Sequence, residues 1–148
     1  MTDEALMQAF ESGEVPDGGF HHAEHVRVAW WYLRRLPVAA ALARFRTGLR
    51  RFAQARGKPG LYHETITTAY VLLIEERLQA GGRVLPWEAF VAANADLLSW
   101  NPSILDGYYR AETLWSDDAR VTFVAPDLRP LGGGRSTGQV VAPRNIGT

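Results

Sequence analysis

The chain has 148 residues, of which 47% are hydrophobic and 22% are charged, and its sixteen basic and sixteen acidic residues leave no formal net charge. This length is typical of one domain, and the balanced charge argues against a dedicated nucleic-acid-binding protein, which usually has a basic excess. The sequence contains no cysteine, which excludes disulfides, iron–sulfur clusters, Cys-ligated zinc and thiol nucleophiles.

The N-terminus, Met1-Thr2-Asp3-Glu4, carries two acidic residues and lacks the basic and apolar regions of a signal peptide. No run of about eighteen apolar residues is present, so no transmembrane helix is predicted. We therefore expect a cytoplasmic protein that does not bind membranes.

The first predicted helix covers residues 2–11, with Thr2 as its N-cap and Gly13 as its end. A turn-rich loop over residues 14–19 leads to the second predicted helix, residues 21–36, which Pro37 ends. Helical periodicity places two histidines on the apolar stripe of this second helix, which comprises His22, His25, Val26, Ala29, Leu33 and Leu36. His21 lies at the edge of the stripe, and Glu24 points away from it.

Pro37 is well placed to open a third helix that ends before Gly57, because its fixed φ suits the first helical position. The fourth predicted helix begins at Tyr62 or His63 and ends at Ala80, before two glycines. Its inner stripe mixes polar and apolar side chains, as expected for a face that lines a polar cavity: His63, Ile66, Thr67, Tyr70, Ile74 and Arg77.

Shorter helical segments are predicted over residues 87–94, 96–100, 102–107 and 113–120. Residues 121–124 are the only β-like run, too short to define a sheet by itself. The sum is an all-α fold, an irregular antiparallel bundle of four main helices plus short ones, with at most a minor β element. Residues 1–128 are predicted to form one domain, and the Gly- and Pro-rich residues 129–148 a flexible tail.

All four histidines of the chain fall on two predicted helices. His22 and His25 are spaced i, i+3 on one face, and His21 pairs with His25 at i, i+4. If the start of the fourth helix lies beside them, His63 completes a three-histidine site for a divalent metal, zinc or iron first, with a position open for water or substrate. The sequence therefore predicts a small metalloenzyme, without resolving hydrolase from oxygenase chemistry.

Other residues of the fourth predicted helix are assigned roles in catalysis or substrate binding because they lie near His63 or on its stripe. Glu64 is predicted to act as a base or to support the metal ligands, and Tyr70 to assist catalysis. Thr67 and Arg77 are predicted to contact a small-molecule substrate, although an ion pair with a buried carboxylate such as Glu64 or Asp106 is the favoured reading for Arg77.

Other readings remain open. The histidines could line a metal-free polar pocket, or they could hold a metal ion or ligate haem in a non-catalytic binding protein. They could instead be structural, in a helical interaction module that meets a partner through Trp31 or the arginine face of the third helix. A homodimer is compatible with any of these.

Overall fold

The computed structural model describes residues 1–15 and 18–132. Within these residues the fold has seven α-helices and no strand, which confirms the predicted all-α class. The α-helices are α1 Asp3–Ser12, α2 His22–Leu33, α3 Val38–Ala55, α4 Glu64–Gln79, α5 Trp87–Ala93, α6 Ala111–Leu114 and α7 Asp117–Val121. Single 3₁₀ turns lie at Pro59–Leu61, Gly82–Val84, Ala95–Leu97 and Ile104–Gly107.

The predicted limits of α1 are confirmed at both ends. The Thr2 side chain accepts a hydrogen bond from the Ala5 N–H, and Gly13 ends the helix in the left-handed conformation. Helix α2 is shorter than predicted, because it stops at Leu33 instead of residue 36. Pro37 restricts the residue before it, Leu36, but the helix has already ended three residues earlier, with Arg34 as its C-cap.

Helix α2 is the centre of the bundle and contacts α1, α3 and α4, while α3 and α4 also contact each other. The buried ring of Phe10 fastens α1 to this core. Its centroid lies 5.5 Å from Phe20, 6.1 Å from Phe45 and 5.8 Å from Phe52. An aromatic cluster therefore joins α1, the segment just before α2 and α3.

The segment after α7 packs on the first turn of α4. Thr65 is fully buried, donates to the Thr122 carbonyl at 2.9 Å and accepts from the Val124 N–H at 3.0 Å. The β-like run 121–124 is thus paired with a threonine side chain and forms no strand, contrary to the minor β element that the sequence allows.

Arg129 lies over the Tyr108 ring at 4.6 Å, and Leu131 packs against the core. Most of the predicted flexible tail, residues 133–148, lies outside the described residues. The division into a domain over 1–128 and a tail stays a prediction.

Candidate functional site: a cavity between α2, α3 and α4

A cavity of about 920 Å³ opens between α2, α3 and α4. Most of its wall is apolar because the facing stripes of three amphipathic helices meet there. The apolar wall residues on these helices are Val26, Ala29, Phe45, Leu49, Phe52, Ala53, Ile66 and Ile74. Volumes of this order are typical of small-molecule sites.

Exposed apolar side chains surround the opening of the cavity. Val15, Leu61, Trp100 and Trp115 all line it, and each is at least 45% exposed. They come from four separate connecting segments of the chain. Large apolar groups left in water around a concave surface mark a contact site better than single scattered ones do.

His22 lies in the cavity wall, and its ring is already engaged. Its Nε2 is 2.9 Å from the Leu97 carbonyl oxygen, to which a protonated Nε2 donates. The ring also packs edge-on to Tyr70 at 4.9 Å and against Trp100 at 5.0 Å. Burial lowers the pKa of His22, and the hydrogen bond to the carbonyl partly opposes that shift.

His63 uses both ring nitrogens within the protein. It is the N-cap of α4, where Nδ1 accepts from the Ile66 N–H at 3.1 Å. Nε2 donates to the Leu114 carbonyl at 2.7 Å. With both nitrogens bonded, this imidazole is a structural link between α4 and α6. Burial lowers its pKa, against the opposing effect of the Leu114 hydrogen bond.

His25 differs from the other three histidines. Its ring lies in the cavity wall, partly buried, with its centroid 4.5 Å from that of Phe20. Nowhere in residues 1–15 and 18–132 does a protein atom hydrogen-bond its ring nitrogens, whereas His21 contacts the Gly18 carbonyl at 3.1 Å. Burial, followed by the neighbouring His22 and His21, lowers the pKa of His25 to about 4.

The prediction of a histidine-ligated metal centre is wrong. In the part of the chain that the structure describes, no three His, Asp or Glu side chains come together in an arrangement that could hold an ion. All four histidines do line one cavity. However, His22 and His63 direct Nε2 to backbone carbonyls, so His21, His22, His25 and His63 do not converge as ligands. The haem alternative stays a prediction, which absorbance near the Soret band would test.

Two of the other predicted site residues reach the cavity. Thr67 lines it while its hydroxyl donates to the His63 carbonyl at 2.8 Å. Tyr70 lines it with its hydroxyl 2.7 Å from that of Ser103, and burial raises its pKa. Their roles as ligand contact and catalytic group stay predictions.

Glu64 and Arg77 are not in the cavity wall. Glu64 is held by Arg46 through two hydrogen bonds of 2.9 and 2.7 Å, and it also accepts from Tyr62. Arg77 forms a two-bond pair with Asp96, and not with Glu64 or Asp106 as the sequence suggested. Both are engaged in ion pairs, which accounts for charged groups on otherwise buried helix faces.

The structure adds cavity residues that sequence reasoning missed. Arg56, Trp100, Trp115 and Arg120 all line the cavity. They lie on connecting segments or short helices, where hydrophobic periodicity carries no signal about which face turns inward. Trp31, predicted as a partner contact, is partly buried, and the Arg35 guanidinium stacks over it at 3.8 Å.

Comparison of this chain with models of known protein families, with curated proteins and with solved structures gives no match. Among the described helices, none combines the length and the apolar character that crossing a bilayer requires.

Proposed function

We propose that this protein binds an apolar small molecule in the cavity between α2, α3 and α4. The observation that carries the proposal is the combination of about 920 Å³ of largely apolar space with a rim of exposed aromatic and aliphatic side chains. Burial of a ligand would remove this rim from water, which is favourable by roughly 25 cal/mol per Å² of apolar surface.

A few polar groups in the wall would orient the ligand. His25 has ring nitrogens without a protein partner, and the hydroxyls of Thr67 and Tyr70 lie in the same wall. Small-molecule sites commonly combine an apolar wall with a small number of placed polar groups. This proposal therefore retains the predicted small-molecule partner but not the predicted metal ion.

A neutral fluorescent probe, N-phenyl-1-naphthylamine, tests this proposal because its emission rises in an apolar site. We expect saturable binding to the wild-type chain. Ala53 is buried in the cavity wall, so Ala53→Phe should fill part of the space and weaken binding by about tenfold or more.

Ala43→Phe is the matched control, because Ala43 is exposed on the same helix and lies outside the cavity wall. It should bind the probe as the wild type does. Circular dichroism would establish that both variants are folded. Should Ala53→Phe fail to fold, Trp115→Ala at the rim provides the second variant. Absence of binding to the folded wild type, or equal binding by both Phe variants, would refute the proposal.

A homodimer, the cytoplasmic location and the absence of nucleic-acid partners stay predictions from the sequence.

A further inference from the structure

The charged groups around the cavity are of one sign. Among the described wall residues there is no Asp or Glu, while Arg56 and Arg120 both line it. Neither arginine forms an ion pair with a carboxylate within residues 1–15 and 18–132, although Arg120 donates to the Gly60 carbonyl at 2.8 Å. Unbalanced positive charge beside an apolar cavity favours an anionic group on the ligand.

The N-termini of α2 and α4 both reach the cavity wall. His21 and His63 are the N-cap residues of these two helices, and both line it. Helix N-termini carry partial positive charge, which adds to the field of the two arginines. The two arginines and the two helix N-termini all attract an anion, but they do not by themselves position a ligand.

His25 supplies the positioned contact. It lies on the second turn of α2, in the cavity wall, and it is the one cavity histidine whose ring has no protein hydrogen-bond partner among the described residues. Because this ring is partly exposed in the cavity, its nitrogens can donate to a ligand without giving up a hydrogen bond to a described residue. A carboxylate can accept from the imidazole with one oxygen and leave the other to the positive groups of the wall.

We infer that the ligand is an amphipathic monocarboxylic acid, with its chain in the apolar cavity and its carboxylate at His25. This inference rests on the proposed function and adds the class of ligand. Binding takes one proton from solvent, because the neutral imidazole becomes the imidazolium partner of the carboxylate. No covalent bond forms or breaks.

Other ionisable groups around His25 also enter its proton balance. From α2 these are His21 and His22, and from the elements packed against it they are Arg56, Tyr62, His63, Tyr70 and Arg120. All are neutral or positive when the ligand is absent. Each positive neighbour disfavours the imidazolium in the free protein, so the carboxylate supplies the charge that makes protonation of His25 favourable.

Calorimetric titration with decanoate and with 1-decanol tests the inference, because the two differ only in the head group. We expect decanoate to bind at least about tenfold more tightly than decanol at pH 6. Titrations in buffers of different ionisation enthalpy should report uptake of about one proton with decanoate and none with decanol. The decanoate Kd should rise by up to about tenfold per pH unit between the pKa of the free His25, about 4, and the pKa of the bound imidazole, and it should level off above the latter.

His25→Gln keeps a hydrogen-bonding side chain but cannot take up a proton. It should lose the preference for decanoate and the proton uptake, so that decanoate and decanol bind this variant about equally. Arg120→Gln should weaken decanoate selectively, whereas Arg44→Gln is the matched control, because Arg44 is exposed on α3 and lies outside the cavity wall.

The outcomes separate the two proposals. If decanol and decanoate bind equally well, or decyltrimethylammonium binds best, the carboxylate inference is wrong while the apolar ligand site stands. If neither decanoate nor decanol binds, the inference fails. The phenylnaphthylamine titration then decides the proposed function by itself.

Discussion

Gly48 on α3 faces the ring of Phe10, which is fully buried where α1 meets the bundle. A β-carbon built at Gly48 would lie 2.1 Å from the Phe10 Cζ, well inside van der Waals contact. Glycine is costly inside a helix, so its presence here is explained by the close approach of the ring and not by backbone geometry.

At the residue scale we therefore predict that Gly48→Ala destabilises the fold by about 2 kcal/mol, because a packed aromatic ring cannot move aside without strain. Urea unfolding followed by circular dichroism measures this change. Gly60→Ala is the control, since a β-carbon there meets nothing within 4 Å, and its effect should stay within about 0.5 kcal/mol. Combining Gly48→Ala with Phe10→Leu should cost less than the sum of the two single changes. Strict additivity would mean that the ring is not the obstacle.

At the element scale, the side-chain hydroxyl of Thr65 links α4 to the segment after α7. Thr65 donates to Thr122 and accepts from Val124, so its side chain replaces the partner that a β-strand would have provided. The N-cap of α4, His63, lies two residues before Thr65 and binds the Leu114 carbonyl at the C-terminal end of α6. These two residues thus hold the C-terminal helices against α4.

We predict that Thr65→Val, which keeps the shape and removes the hydroxyl, lowers the free energy of unfolding by about 1–2 kcal/mol because two backbone groups lose their partner. Amide hydrogen exchange should show faster exchange at Val124. Thr65→Ser retains the hydroxyl and should keep the Val124 protection. Unchanged exchange in Thr65→Val would show that the segment is held by other contacts.

At the scale of the whole molecule, the stability of the fold in acid depends on three imidazoles from different parts of the chain. The pKa values of all three are shifted in the same direction. Burial lowers the pKa of His22, His25 and His63 below the ordinary value of 6.5, that of His25 to about 4. The folded chain then binds fewer protons than the unfolded chain below about pH 6.5, so folding stability falls as the pH drops. For His25 the loss extends from about pH 6.5 to about pH 4.

His25→Gln should therefore flatten the decline in unfolding free energy between pH 6.5 and pH 4, by up to about 1.4 kcal/mol per pH unit for one site. Urea titrations at several pH values measure the slope. His21→Gln is the control, because its ring is exposed and its loss removes no buried imidazole. An equal slope in wild type and His25→Gln would mean that His25 is protonated alike in the folded and unfolded chains.

The sequence by itself determined the helices and the faces they bury. Thr2, Gly13 and Pro37 act on the backbone within a few residues, so their effects on helix limits are local and readable. Helical periodicity also placed His22 and His25 on the inner side of α2, and the structure puts both in the cavity wall.

Only the tertiary structure decided what those histidines do. His22 binds the carbonyl of Leu97, 75 residues away, and His63 that of Leu114, 51 residues away. Backbone carbonyls are present at every residue, so no pattern in the side chains marks which of them will meet an imidazole. Spacing along α2 showed that the rings of His22 and His25 share a face. The hydrogen-bond partners of each ring, however, depend on how distant segments pack. The same packing left His25 without a protein partner in a cavity edged by arginines and tryptophans.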